Sequence, residues 1–405
     1  MWWKHEAVHA RRVRLRVGDP GGRRAQPHRD DAEERLRALA AELCGAGRDA
    51  GLDDVGIAPA QPFLATRAHL EARKAAGLHG GMHFTYGDPA RSTDPGRALR
   101  GARSLVVGVR SYLRAGPGGA PAHGGPWGRV ARYSWTDHYA PLRQALAVMR
   151  DRLMALGWSA RVLVDDNGLV DREAAYRAGL GWYGKNTMLL LPGRGSWFVL
   201  GSVVTDAPLP ASATMVPDGC GSCARCLPAC PTGALVAPGV LDARRCLAWL
   251  LEAPGAFPKE HRRALGDRLY GCDDCQEACP PNRAAERHRP PPAPDAGDEP
   301  WMDVVGLLAL DDHALLTRVG RWYVPRRQAR YVRRNALVVL GNVGDGGDRR
   351  VEACLRDALH DRDPLLRAHA VWAAGRLGRH DLLQGMSRTE EDDTVREELR
   401  DALAL

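Results

Sequence analysis

Between residue 31 and about residue 210, apolar residues recur with helical spacing in some segments and form short β-branched runs in others. The first pattern predicts amphipathic helices and the second predicts buried strands. The predicted helices cover residues 33–44, 64–76, 141–156 and 171–178, and the predicted strands cover 55–58, 104–109, 160–164, 187–191 and 197–205. A segment rich in glycine and proline, 117–128, predicts a loop. This alternation predicts an α/β domain over residues 31–210.

The chain on either side of this domain has a different composition. Residues 1–30 are polar, basic and interrupted by glycine and proline, which predicts a disordered basic extension. Residues 211–285 contain eight of the ten cysteines and few apolar runs, as expected where metal–thiolate bonds replace much of a core. Residues 286–300 are rich in proline and predict a linker.

Residues 301–405 contain two similar segments, which begin at Tyr331 and Leu366 and lie about 34 residues apart. Each segment places an arginine before a stretch of small residues with helical character that closes on glycine. This period is typical of stacked helix pairs of the HEAT type. Two copies are too few for a free-standing solenoid, so we expect this helical unit to pack on the cysteine-rich domain.

Composition and charge narrow the class of protein without identifying a substrate. The 405 residues are 44% hydrophobic and 26% charged, as in soluble globular proteins, and they carry a net charge of +8. A moderate positive charge attracts anionic partners. No apolar run approaches the roughly 18–20 residues needed to cross a bilayer, and no signal-peptide core follows the first residues. We therefore expect a cytoplasmic protein without a membrane partner.

The spacing of the cysteines is the most specific chemical signal in the chain. The first run reads C-x2-C-x2-C-x3-C-P, the spacing of bacterial ferredoxins, and the second reads C-x2-C-x3-C-P. Where the second run lacks a cysteine, at Leu269, the displaced Cys246 is the obvious substitute. The pattern predicts two [4Fe–4S] clusters in a ferredoxin-like domain, held by Cys220, Cys223, Cys226 and Cys279 and by Cys230, Cys246, Cys272 and Cys275.

Two other interpretations of the cysteines are weaker. Structural zinc would need no proline after either run. Disulfides would need an oxidising compartment, which nothing in the chain suggests. Clusters at this spacing move single electrons, so they predict redox chemistry without naming the substrate.

The first domain contains two features that could carry chemistry. It has no G-x-G-x-x-G motif after a strand and no phosphate loop, so a nicotinamide or nucleoside-triphosphate site is unsupported. The glycine-rich segment 178–186 could bring backbone close to a flat cofactor, although a helix end followed by a turn explains Gly179 equally well. Asp165 follows an apolar strand, where a half-buried carboxyl beside Asp166 would act as a proton donor. A simple Asp-Asn-Gly turn explains the same residues.

Arginines and aromatic residues alternate near the start of the helical unit. Trp322, Tyr323 and Tyr331 lie among these arginines, and guanidinium groups with stacking rings suit the phosphates and unpaired bases of RNA. The alternative is a solvated helix face in an arginine-rich chain. The candidate RNA contacts are Arg326, Arg327, Arg330, Arg333 and Arg334.

The chain resembles the epoxyqueuosine reductases, which are cobalamin-dependent iron–sulfur enzymes that complete queuosine synthesis in tRNA. The resemblance extends from about residue 31 to the end of the chain. It is carried by the two cysteine runs with Cys246 and by the motifs at 91–95, 164–172, 178–186, 195–198 and 334–336. Ordinary ferredoxins have neither the upstream domain nor the displaced cysteine, which makes this combination specific.

The resemblance implies that the chain removes the epoxide oxygen of epoxyqueuosine at the wobble position of tRNA, giving queuosine. It implies a cobalamin in the α/β domain beside the nearer cluster, an external electron donor, and helical repeats that hold the anticodon stem-loop. It also implies that Asp165 is the proton donor. The positions that contact the corrinoid in this family correspond to Arg91, Asp165, Asn186, Leu189, Leu200, Ala248 and Gly271.

Two other functions fit part of the pattern. A corrinoid reductive dehalogenase would use the same cofactors, but such enzymes usually carry an export signal and have no reason to carry arginine-lined repeats. A non-enzymatic electron carrier would use the clusters and would bind no corrinoid. For the enzyme we expect a monomer.

Overall fold

The computed structural model describes residues 27–212 and 215–404. The predicted disordered extension lies outside these residues, except that its last four positions already belong to the first helix. The first part of the chain, called the sheet module (27–210), contains helices α1 Pro27–Asp49, α2 Leu64–Ala75, α3 Pro89–Ser92, α4 Pro95–Ala98, α5 Tyr139–Ala155 and α6 Asp171–Arg177. Its strands are β1 Asp54–Pro59, β2 Ser104–Ser111, β3 Trp127–Val130, β4 Ala160–Val164, β5 Trp182–Tyr183, β6 Leu189–Leu190 and β7 Phe198–Thr205.

Four of these strands form the main sheet, in the order β1-β2-β7-β4. Every neighbouring pair is antiparallel; β2 and β7, for example, pair from Ser104 with Thr205 to Ser111 with Phe198. The predicted mixture of helices and strands is therefore present, arranged around an antiparallel sheet. Helices in this module alternate with strands without making parallel crossovers.

Helices cover both faces of the main sheet. Helices α1 and α5 enclose one apolar layer, with Leu43, Leu146 and Met149 fully buried, and α6 encloses the other. Helix α5 lies close to the strands because Gly201 faces it. A Cβ at Gly201 would stand 2.7 Å from both Leu146 Cδ1 and Val164 Cγ2, which is too close for any other residue. This packing fixes the end of β4, where Asp165 follows.

The next part of the chain, called the cysteine module (215–288), contains short elements joined by loops. Its helices are α7 Cys226–Ala229, α8 Leu247–Glu252, α9 Lys259–Leu265, α10 Asp274–Glu277 and α11 Pro280–His288, and its strands are β8 Leu235–Ala237, β9 Val240–Leu241 and β10 Arg268–Tyr270. No element here exceeds nine residues, in agreement with the loop-rich structure that the composition predicts.

The last part of the chain, called the helical module (301–404), begins with strand β11 Trp301–Asp303. Its helices are α12 Val304–Leu308, α13 Asp312–Arg318, α14 Ala329–Val343, α15 Arg349–Leu359, α16 Pro364–Arg376, α17 Met386–Thr389 and α18 Asp393–Leu403. Leu250, Phe257 and Leu269 of the cysteine module share one core with Leu337 and Val371 of this module. The helical unit therefore packs on the cysteine module, as expected.

A small second sheet joins all three modules. Its order is β10-β3-β11, so one strand from each module takes part. Strand β3 begins inside the segment that glycine and proline marked as a loop. The proline-rich linker also lies against the sheet module, because Ala115 N–H donates to the Pro292 carbonyl at 2.8 Å and Val130 N–H donates to that of Pro300 at 2.9 Å. Within the described ranges, no helix combines the length and apolar content needed to cross a membrane.

Candidate redox site and its neighbouring carboxyl groups

Asp165 lies directly after β4, in a tight turn. Its backbone is left-handed, with φ of +52°, a conformation that is uncommon outside glycine and often found at functional sites. The Asp166 carboxylate closes the turn by accepting a 2.6 Å hydrogen bond from Gly168 N–H. The predicted turn is thus present. Asp165, whose left-handed backbone is strained, is exposed to solvent.

The surroundings of Asp165 favour its protonated form. Burial of the carboxyl by nearby protein raises its pKa, the charge of Asp166 raises the pKa further, and Arg143 opposes both effects. Asp171, at the start of α6, has a pKa raised well above its usual range by burial and by the charge of Asp165. Asp165 nevertheless remains exposed to solvent.

The first predicted thiolate set converges in the structure. Burial raises the pKa of Cys279 to about 11, and the charges of Cys220, Cys226 and Cys223 raise it further. Trp182 and Leu190 pack against the apolar side of this set. On the other side the loop at 217–225 is exposed apart from its two partly buried cysteines. The first set therefore lies close to the protein surface.

The second predicted set converges in the same way. Burial raises the pKa of Cys275 well above its usual range, and the charges of Cys272, Cys246 and Cys230 add to this effect. Burial likewise raises the pKa of Cys272 to about 12, with a contribution from Cys246. The cysteines whose charges act on Cys275 and Cys272 all belong to the predicted second set, Cys246 included, which is consistent with that assignment.

The donor set suits iron–sulfur clusters. Thiols with raised pKa values bind metal as thiolates, since coordination removes the proton. In the part of the chain that the structure describes, no three His, Cys, Asp or Glu side chains stand close enough to share a single metal ion. A cluster of four irons and four sulfides is larger than one ion and keeps its four thiolates farther apart.

The residues predicted to contact a corrinoid border the second thiolate set. Asn186 Nδ2 donates to the Cys275 carbonyl at 3.4 Å, Ala248 follows Cys246 by two positions, and Gly271 precedes Cys272. Gly271 has a φ of +69°, and a Cβ there would stand 2.6 Å from that of Ala131. These three residues thus form one border shared by the sheet and cysteine modules.

The other predicted corrinoid contacts lie in the sheet module. Leu189 and Leu200 belong to one apolar cluster, on β6 and β7. Arg91 is exposed on α3, beside Ser92, whose carbonyl accepts a 2.9 Å hydrogen bond from Val170 N–H in the segment that follows Asp165. This bond holds α3 against the Asp165 turn.

The candidate RNA-binding arginines have different environments. Arg326 and Arg327 are exposed and both have φ of +52°. Arg330 is paired with Asp363 at 2.9 Å, and Arg333 with Asp312. Arg334 is fully buried, so its predicted contact with RNA is wrong: a guanidinium with no solvent exposure cannot reach a phosphate.

Arg334 instead holds the cysteine module against α14. Its guanidinium donates to the carbonyls of Leu250, Leu251, Ala253 and Gly255 at 2.7–3.2 Å and to Asn335 Oδ1 at 2.7 Å. Burial lowers the pKa of Arg334 to about 9, with a smaller effect from the positive charge of Arg262. The Arg334 side chain therefore supplies hydrogen-bond donors to backbone carbonyls at the end of α8 and in the loop after it.

We expect Arg334→Ala to lower the free energy of unfolding of the apoprotein by at least about 3 kcal/mol, because several buried carbonyls lose their donor. The measurement is a urea titration followed by circular dichroism. Arg326→Ala is the matched control, since this exposed arginine is expected to change stability by less than about 0.5 kcal/mol. Equal midpoints for the two variants would contradict the structural role of Arg334.

The sequence did not reveal several residues that support the site. Lys185 Nζ donates to the Gly221 carbonyl at 2.6 Å, between two ligands of the first set. Asn282, three positions after Cys279 and fully buried, accepts from Ser196 N–H at 2.6 Å. Glu252 ends the apolar helix α8. The position of Asn282, shortly after the Cys279-Pro280 pair, is the one local signal in the sequence that could have indicated a contact such as that with Ser196.

Two interlocked thiolate sets beside a raised-pKa carboxyl, on a fold with helical repeats, define an iron–sulfur oxidoreductase. Family models agree: residues 219–282 match a 4Fe-4S double cluster binding domain and residues 326–404 match HEAT repeats. The epoxyqueuosine reductase of Xanthomonas campestris is 37% identical over 361 residues, covering 87% of this chain and 98% of that protein. That of Bacillus subtilis is 31% identical, covering 91% and 96%.

Solved structures give the same result. A crystal structure of epoxyqueuosine reductase with an epoxyqueuosine-modified tRNA-Tyr stem loop superposes with a TM-score of 0.82 at 30% identity, covering 91% of this chain and 99% of that one. An epoxyqueuosine reductase from Streptococcus thermophilus gives 0.80 at 26% identity. The chain belongs to the epoxyqueuosine reductase family.

Proposed function

We propose that this protein reduces epoxyqueuosine to queuosine at the wobble position of tRNA, using cobalamin and two [4Fe–4S] clusters. The observation that carries this proposal is the juxtaposition of the second thiolate set with the residues expected to contact the corrinoid, in a chain that matches its relatives over almost their full length. Neither a dehalogenase nor a simple electron carrier accounts for both the site and the full-length match.

The two clusters have different positions along the proposed electron path. The first set lies under the exposed loop 217–225, so an external donor would deliver electrons there. The second set borders the sheet module through Asn186 and Gly271. When bound, cobalamin would supply low-coordinate reduced cobalt as the reductant of the epoxide carbon. The chain thus separates electron entry from the reaction site.

Asp165 is the proposed acid. The left-handed turn after β4 directs its carboxyl outward, and α3 with Arg91 packs against the following segment. Because burial and Asp166 raise its pKa, Asp165 retains its proton closer to neutral pH than a free aspartate does. It can then protonate the oxygen as the carbon–oxygen bond breaks.

The exposed arginines at the start of the helical module are the proposed contacts for RNA phosphates. Arg326 and Arg327 are exposed, and the neighbouring ring of Tyr323 is 58% exposed, available for stacking on an unpaired base. Arg330 and Arg333 already form ion pairs with Asp363 and Asp312, so they would contact RNA only with the N–H groups that face away from these carboxylates. The wobble base itself must leave its stack to reach the site.

We expect Arg326→Ala to weaken binding of the anticodon stem-loop and to lower the slope of log Kd against log salt by about one, because one phosphate contact is lost. Fluorescence anisotropy at several salt concentrations measures both quantities. Arg35→Ala, an equally exposed arginine on α1, is the control and should change neither. An unchanged slope for Arg326→Ala would remove this residue from the interface.

The proposed function is tested by anaerobic turnover of an epoxyqueuosine-containing stem-loop with an artificial reductant, with and without cobalamin. Nucleoside mass spectrometry identifies the product. Queuosine formed only with cobalamin supports the proposal. Absence of queuosine from protein that contains both clusters and cobalamin would overturn it.

A further inference from the structure

Removing an epoxide oxygen as water requires two protons. Both carbon–oxygen bonds break, a carbon–carbon double bond forms, two electrons enter, and the oxygen leaves with two hydrogens. Asp165 carries one proton at a time. A second acid, or a route that recharges the first, is therefore needed on the same surface.

Glu252 is a half-buried acid for which no other role is apparent. It is the last residue of α8, and Tyr133 Oη donates to its Oε1 at 3.0 Å. Tyr270 provides a second hydroxyl to the same carboxyl. The Tyr270 oxygen also accepts a 2.8 Å hydrogen bond from Tyr323 N–H, and its ring stacks on Trp322 at 4.3 Å, so it is firmly placed.

No cation neutralises Glu252 among the ion pairs of the described residues. The guanidinium of Arg334, which contacts the same helix, is committed to the carbonyls of Leu250 and Leu251. Burial raises the pKa of Glu252 to about 7, the charge of Asp165 raises it further, and the two tyrosine hydroxyls oppose the rise. This carboxyl therefore keeps its proton to a higher pH than a free glutamate does.

Electrostatic influences link Glu252 to Asp165 through two tyrosines. The charge of Glu252 and the hydroxyl of Tyr139 both act on Tyr133, and the charge of Asp165 is the largest electrostatic influence on Tyr139. Asp165 is exposed, and Tyr133, Tyr139 and Glu252 are half-buried. The four side chains are therefore within electrostatic reach of one another.

The position of Tyr133 depends on the border with the second thiolate set. A Cβ at Gly271 would stand 2.9 Å from Tyr133 Cε1, so the glycine gives the ring its space. Ala248, another residue of this border, lies one turn before Glu252 on α8. The Tyr133–Glu252 pair thus lies beside two of the predicted corrinoid contacts, Gly271 and Ala248.

We propose that Glu252, acting through the hydroxyl of Tyr133, supplies the second proton of the reaction; this inference rests on the proposed function. Glu252 gives its proton to the Tyr133 oxygen while Tyr133 releases its own proton to the departing epoxide oxygen, which leaves as water with this proton and the one from Asp165. The bonds and charges balance, since one carboxyl proton is lost and the tyrosine is unchanged. Glu252 is then a positioning and proton-holding residue, because Tyr133 stands between it and the substrate.

The ionisable groups around Glu252 come from several elements. Tyr133 and Tyr270 bond to it, Asp165 acts from the sheet module, and Cys246 lies at the start of the same helix. Arg334 approaches from α14 without bonding to the carboxyl.

Glu252→Gln and Tyr133→Phe test the inference. Glutamine keeps the size and the hydrogen bonds of the protonated acid, so the fold should be retained. We expect kcat for the stem-loop to fall about 10-fold to 100-fold in either variant with KM unchanged. The double variant should lose little more than either single one, since both changes interrupt one route. Glu260→Gln, the same change on the exposed face of α9, should retain wild-type kcat.

An infrared measurement on the cobalamin-free protein gives a second readout. The spectrum of the wild type minus that of Glu252→Gln, taken near pH 6, should contain the carbonyl band of a protonated carboxylic acid, and Tyr133→Phe should shift this band. Wild-type kcat in both single variants, or absence of the band, would overturn the inference. If the wild type itself made no queuosine, the proposed function would fail first, while the infrared result would still report the proton on Glu252.

Discussion

We expect Asp165→Asn to lower single-turnover rates on the epoxyqueuosine stem-loop by about 10²-fold to 10⁴-fold, the range for loss of a positioned general acid. Asparagine preserves the size of the side chain, and the turn is held by Asp166 and Gly168 rather than by the Asp165 carboxyl. Iron content and cobalamin binding should therefore be retained. Rapid-quench sampling followed by nucleoside mass spectrometry measures the rate.

The pH profile separates an acid from a structural residue. The wild-type rate should fall as pH rises through the raised pKa of Asp165, because the deprotonated carboxylate cannot donate. Asp165→Asn should abolish that dependence. Asp151→Asn, the same substitution on the exposed side of α5, is the control and should retain the wild-type rate and profile. Full activity of Asp165→Asn would exclude this residue from the reaction.

The second large effect is expected from Cys246→Ser. This change removes one thiolate of the second set, so the iron content of reconstituted protein should fall from about eight to about four per chain. Turnover should be lost, because electrons from the first cluster no longer reach the border with the sheet module. Iron analysis and visible absorption after anaerobic reconstitution measure the loss of the cluster.

Cys354→Ser is the matched control for this experiment. Cys354 is a partly buried thiol on α15, outside both sets, and its replacement should leave about eight irons. The interlocked arrangement has its own test, since Cys230→Ser should remove the same cluster as Cys246→Ser, whereas Cys279→Ser should remove the other. If Cys230→Ser instead removed the first cluster, the assignment of the two sets would be wrong.

These experiments also distinguish the roles of the two modules that meet at the site. Loss of Cys246 removes electron delivery, while loss of the Asp165 carboxyl leaves electron delivery intact and removes proton delivery. A protein with eight irons and no turnover therefore points to the sheet module, and a protein with four irons points to the cysteine module. Together, Cys246→Ser and Asp165→Asn show whether electron delivery or proton delivery has failed.

Local sequence patterns predicted most elements of this protein. The predicted strand at 160–164 is β4, and the predicted helix at 64–76 is α2 within one residue. The cysteine spacing predicted the double-cluster domain that residues 219–282 match, because most of the cysteines lie close together along the chain. Asp165 could be singled out because it follows a strand that the apolar run defines. These features depend on neighbours along the chain.

Other features were decided only by tertiary structure. Periodicity shows which face of an element is buried, but it does not show which partner buries it. The antiparallel order of the sheet, the pairing of β3 with strands from two other modules, and the burial of Arg334 all depend on distant segments. The same is true of Glu252, an ordinary acid in the sequence whose pKa is raised by burial among distant segments, one of which brings Tyr133, 119 positions away, within hydrogen-bond distance. Sequence determined the ligands and the elements, whereas long-range packing determined which charges lost their water.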